Sequence, residues 1–117
     1  MDILELAKRN QQKAWEIIED TRIVRIWEGI GAKVNLVGSL RTGLLMKHRD
    51  IDFHIYTSPL DLSASFRAMA ELAENTSVKK IEYTNLLHTE EACIEWHAWY
   101  QVLEQDRNGK AWLVIGN

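Results

Sequence analysis

The chain has 117 residues, of which 46% are hydrophobic and 26% charged, and its formal net charge is −3. That length suits one compact domain that buries roughly two thirds of its unfolded surface, so residues 1–117 are expected to form a single domain. The composition excludes a disordered chain, the mild acidity argues against a protein that coats nucleic acid, and no apolar run approaches the ~20 residues of a membrane-spanning helix.

The lone cysteine, Cys93, excludes an internal disulfide and a thiolate zinc site, and reads as a small buried hydrophobe. Residues Met1 to Arg9 are charged throughout and lack the apolar segment of a secretory signal, which makes the cytoplasm the expected compartment.

In chain order, Ala7, Ala14, Ile17, Ile18, Val24 and Trp27 recur at helical spacing behind Asp2, a candidate cap. The first thirty residues are therefore helical, as one helix or as two that break near Asp20-Thr21, and Gly29 and Gly31 stop them. Lys33 to Val37 reads as a short buried strand that Gly38 ends, and Ser39 to Lys47 as a loop or short helix. Asp50 to Tyr56 alternates polar Asp50, Asp52, His54 and Tyr56 with apolar Ile51, Phe53 and Ile55, the period of a half-buried strand. Ser58-Pro59-Leu60-Asp61 reads as a helix start with Ser58 as the cap and Pro59 at the first helical position. Leu62, Phe66, Met69 and Ala73 would form its apolar face, and Asn75 its end. Val78 to Thr84 and Cys93 to Val102 are expected strands, the latter because Ile94, Trp96, Ala98, Tyr100 and Val102 alternate, and Asn108-Gly109 offers a hairpin turn into a strand over Ala111 to Ile115. The order predicts an α+β domain with helices packed on a mixed sheet.

Two features carry chemistry. Asp50 and Asp52, at i and i+2 on a strand, project from one face with alpha carbons about 6.6 Å apart. Unpaired they repel, but they suit Mg²⁺, which takes carboxylate oxygens and leaves room for substrate phosphates. Gly38-Ser39, at the end of a strand, lets the backbone approach a phosphate closely and adds a hydroxyl donor. Each pattern is common by itself.

Together, Val34-Asn35-Leu36-Val37-Gly38-Ser39-Leu40-Arg41-Thr42-Gly43 and, about ten residues beyond Ser39, Asp50-Ile51-Asp52-Phe53-His54-Ile55 resemble the DNA polymerase beta-like nucleotidyltransferase superfamily. The resemblance covers residues 33 to 56 closely and implies the nucleotidyltransferase fold. It implies that Gly38, Ser39 and Arg41 hold the phosphates of a nucleoside triphosphate, and that Asp50 and Asp52 bind Mg²⁺ or Mn²⁺. Lys47, His48 and Arg49 add positive charge beside the two acids and would neutralise them or steer an anionic substrate. The implied reaction moves a nucleoside monophosphate from the triphosphate to a hydroxyl of a small molecule or protein.

Superfamily enzymes usually place a third carboxylate on a later strand. Glu95, between Ile94 and Trp96, is the best candidate for this third catalytic acid beside Asp50 and Asp52, and Glu82 is second; Trp112 to Ile115 contains none. A second copy or a partner protein would help complete an acceptor pocket. The alternative is an inactive nucleotidyltransferase-like module that binds a partner protein, as the antitoxin of a toxin–antitoxin pair does. His54 should share the face of the two aspartates; no His-x-x-x-His pattern is present. Most of the five tryptophans belong in the core, with Trp96 and Trp99 on opposite faces of one strand.

Overall fold

A computed structural model describes residues 2–38 and 50–101, and the backbone of 112–116. Its elements are α1 (Ile3–Thr21), α2 (Ile23–Glu28), β1 (Lys33–Val37), β2 (Asp50–Tyr56), α3 (Leu62–Ala73), β3 (Val78–Asn85), β4 (Ile94–Tyr100) and β5 (Trp112–Gly116). The five strands form one sheet in the order β1-β2-β5-β4-β3. β2 and β5 run parallel and the other neighbours antiparallel, so the sheet is mixed, as expected.

The alternation in β2 and β4 sorts their side chains onto two faces. Ile51 and Phe53 from β2, and Ile94, Trp96, Ala98 and Tyr100 from β4, are buried. They join Ala14 and Ile17 of α1, Ile23, Ile26 and Trp27 of α2, and Ala68, Met69 and Leu72 of α3 in one core. The three helices thus cover one face, and the opposite face of β2 carries Asp50, Asp52 and His54. Among the described residues no helix is long and apolar enough to cross a membrane.

Asp2 caps α1 as expected, its carboxylate accepting from the Glu5 N–H at 2.8 Å. The helical run does break, at Arg22, which adopts the left-handed conformation (φ 57) while its N–H donates to the Ile18 carbonyl at 3.2 Å. Thr21 reinforces the break by donating its hydroxyl to the Ile17 carbonyl at 2.7 Å.

Three local expectations change. β1 is half-buried rather than buried, because it lies at the sheet edge with β2 as its one strand neighbour. α3 begins at Leu62, not Pro59: Asp61 caps it by accepting from the Ala64 N–H at 3.0 Å, and Ser58-Pro59, a cis peptide, lies outside the helix. The buried stripe of α3 is also rotated, to Ala64, Ser65, Ala68, Met69 and Leu72. Small alanines let the helix approach its neighbours closely. Phe66, expected inside, is 45% exposed and packs its ring at the margin against Tyr83 and Trp96, with centroids 4.8 and 4.7 Å away.

Asp20 ties three elements together. Its Oδ2 accepts from Asn75 Nδ2 at 3.0 Å and from the Tyr100 hydroxyl at 2.8 Å, linking the end of α1 to the α3–β3 turn and the end of β4. The Asn75 bond first, then the Tyr100 bond, hold its carboxyl below the usual carboxylate range against partial desolvation. A lowered folded-state pKa contributes stability above the unfolded value, and that contribution is lost as pH falls through the folded value. Tyr100→Phe is therefore expected to cost about 1 kcal/mol at pH 7, and Asp20→Asn to flatten the loss of stability below about pH 4. Urea unfolding at pH 7 and pH 3 checks both; an unchanged acid limb in Asp20→Asn would remove the link.

Candidate functional site

β1 and β2 are antiparallel, with Val37 opposite Asp52 and Leu36 opposite Phe53. Phe53 and Ile51, at 1% and 0% exposure, lock β2 into the core and fix the direction of the aspartates on the other face. Asp50 is exposed and Asp52 half-buried.

Gly38 follows directly on β1 with φ +79, a conformation that L side chains rarely adopt. A Cβ placed on it would lie 2.7 Å from Asp52 Oδ2. The glycine of the first motif and the second aspartate of the other are thus in contact, across a pairing that sequence separation hides. Gly38→Ala combines a strained backbone with a displaced carboxylate. It is expected to cost about 1 kcal/mol of stability and to weaken any cation binding at Asp52 with the fold retained, as thermal melts and calorimetry with Mg²⁺ would show.

Desolvation, and then the neighbouring Asp50 carboxylate, push the Asp52 carboxyl above the usual carboxylate range, while His54 and His97 pull it down. His97 comes from β4. The register runs Asp52 to Ile115 on β5 and Ile115 to His97 on β4, so the three positions line up across the sheet on one face. The imidazole accordingly acts on the carboxylate field from about 10 Å of lateral strand spacing.

Glu95 shares that face, two residues from His97, and its Oε1 lies 2.6 Å from His97 Nε2. It is engaged with the histidine rather than brought beside Asp50 and Asp52, from which β5 separates it. Glu82 pairs with Lys80, Oε1 to Nζ 2.9 Å, on the exposed β3. Among the described residues no three His, Cys, Asp or Glu side chains converge to hold a cation by themselves. Ser39 and Arg41, and with them Lys47, His48 and Arg49, lie outside the described residues.

His54 lies on the acidic face, as its spacing from Asp52 predicts, whereas His97 reaches that face from β4, a neighbourhood no local spacing predicts. Local spacing does signal the pairing of Glu95 with His97 on an alternating strand, which puts acid and imidazole on one face and within hydrogen-bond reach. The arrangement can present two carboxylates to a cation beside a backbone turn free of a Cβ, with His54 on the same strand face and His97 two strands away. In comparison with known proteins, the chain matches no family model and no curated protein.

Proposed function

We propose that this domain binds a nucleoside triphosphate with Mg²⁺ at Asp50 and Asp52, and that it transfers the nucleoside monophosphate to a hydroxyl of a small molecule or protein in the cytoplasm. The observation that carries the reading is the contact of Gly38 with the Asp52 carboxylate, which supports taking the turn after β1 and the acid pair as parts of one site. The donor set fits the ion: Mg²⁺ favours oxygen ligands and commonly takes one or two carboxylates, completing its shell with waters and phosphates. When bound it would neutralise the triphosphate and hold it for in-line displacement.

The chain's own residues have separable parts in this reading. Asp50 and Asp52 hold charge at a fixed position, and Gly38, lacking a Cβ, leaves room for the Asp52 carboxylate against the backbone. Ser39 and Arg41 would donate to those oxygens, on the strength of the motif resemblance. The acceptor oxygen bonds to the α-phosphorus, the bond to the β-phosphate oxygen breaks, and pyrophosphate leaves with its charge neutralised. The hydroxyl proton requires a base; Glu95, the carboxylate proposed for it, would have to leave His97 and act from across β5. A second copy or a partner protein would complete the acceptor pocket.

The bond between Glu95 and His97 at 2.6 Å favours a second reading, because it occupies the acid that turnover would need. In that reading the domain is an inactive nucleotidyltransferase-like module that binds a partner protein. Calorimetry with Mg²⁺ and ATP tests the first reading against the double variant Asp50→Asn/Asp52→Asn. The wild type should bind only with Mg²⁺ and the variant should lose binding; equal binding by both removes the metal role. Binding without pyrophosphate release in the presence of a panel of hydroxyl acceptors would favour the second reading.

A further inference from the structure

On the helical side of the sheet, where β2 ends and β4 begins, lies a cavity of about 540 Å³. That size falls among small-ligand pockets. Trp27 and Trp96 wall it, Leu60 and Leu87 flank it, and Asp61 and Glu91 are its charged groups; none of the described lining residues is Lys or Arg. From these features we infer that the cavity binds a small cationic amphiphile, an apolar or aromatic body bearing a protonated amine. The inference does not depend on the nucleotide reading, because neither Asp50 nor Asp52 lines the cavity, although His54, their neighbour on β2, does.

Three observations support it. First, the two indoles are 3% and 4% exposed, yet among the described residues their Nε1 groups are buried without a hydrogen-bond partner. Each such donor costs about 1–3 kcal/mol, a cost that phenylalanine or leucine would avoid in a wall that served packing alone. What indole offers instead is the strongest ring face for a cation.

Second, the wall that carries Leu87 and Glu91 is preformed. The Leu86 N–H donates to the Cys93 carbonyl at 2.9 Å, and the Thr89 hydroxyl to the Leu86 carbonyl at 2.7 Å. The Leu87 N–H donates to Asn85 Oδ1 at 2.9 Å, and Ala92 closes the turn in the left-handed region at φ 49. A rigid wall lowers the ordering cost of binding. Third, the formal charges of the described lining residues, Asp61 and Glu91, are of one sign, with the imidazole of His54 also in the lining. An amine gains from the Asp61 and Glu91 carboxylates and from the aromatic wall, whereas an anion is repelled by those carboxylates.

The probes are 2-phenylethylamine and its neutral counterpart 2-phenylethanol, added to the full chain and followed by calorimetry and by the indole N–H resonances in nuclear magnetic resonance. The amine should bind saturably near millimolar concentration and about fivefold more tightly than the alcohol, and it should move the Trp27 and Trp96 resonances. Glu91→Gln, at an exposed position outside any helix cap, should bring the amine close to the alcohol while leaving the melting temperature unchanged. Absence of saturable binding, equal affinity for the two probes, or shifts confined to Trp15, Trp99 and Trp112 would overturn the inference.

Discussion

Asp52→Asn is expected to raise the melting temperature of the metal-free protein by about 1–4 °C at pH 7 and, in the same variant, to abolish its response to Mg²⁺. Burial and the Asp50 charge hold the Asp52 carboxyl above its ordinary range, so the folded state binds the proton more tightly than the unfolded state does. The sign is the reverse of that at Asp20. Stability is greatest below the unfolded value, declines as pH rises towards the folded value, and stays reduced above it. An amide never carries that charge, and the variant should therefore lack the decline. A cation changes the balance, because it binds the deprotonated pair and competes with protons. Wild-type affinity for Mg²⁺ should accordingly fall by up to about tenfold per pH unit below the folded pKa of Asp52. Thermal melts with and without Mg²⁺ between pH 4 and pH 8 check both limbs. An Asn variant that is less stable without metal and still responds to Mg²⁺ would contradict the assignment.

Trp96→Ala should be the most damaging single truncation on β4, at about 3–5 kcal/mol. Trp96 is 4% exposed and stands where the sheet meets α3, with its ring 4.7 Å from Phe66 and 5.0 Å from Tyr83. The edge-on approach to Phe66, at 81°, is the favoured aromatic geometry and adds to the area buried. Trp96→Phe should cost far less, about 1 kcal/mol, because the lost indole N–H has no partner to forfeit. Urea unfolding of the two variants gives the contrast directly. Similar losses for Ala and Phe would mean that the indole shape, rather than aromatic burial, holds the site together.

The strands were the most legible part of the fold. In β2 and β4 the alternation is strict, and one buried face fixes register and side-chain direction together, so their sorting followed from the residues alone. α3 was less legible because two capping signals lie three residues apart. Ser58-Pro59 reads well, but the Asp61 carboxylate reaches the free N–H of Ala64 and sets the start. Its buried stripe was misread for a related reason: large apolar residues attract attention, whereas close packing against neighbouring elements selects Ala64 and Ala68. In the candidate site, the common face of Asp50 and Asp52 follows from spacing within one strand. The contact of Gly38 with Asp52 and the alignment of His97 depend on which strands become neighbours, and no local pattern encodes that. The apolar neighbours Ile94 and Trp96 mark Glu95 as a strand carboxylate, but they carry no sign of the His97 imidazole that engages it.

The position of β5 has a consequence for assembly. It enters between β2 and β4, parallel to one and antiparallel to the other. Until it arrives, β1–β2 and β3–β4 are two separate pairs, each with an unsatisfied row of backbone donors and acceptors. The parallel partner of β5 lies some sixty residues earlier in the chain, so the pairing that joins the halves is also among the most distant in sequence and should form late. During synthesis both open rows remain available to other chains, and the period before β5 inserts is the interval in which this protein is most exposed to aggregation.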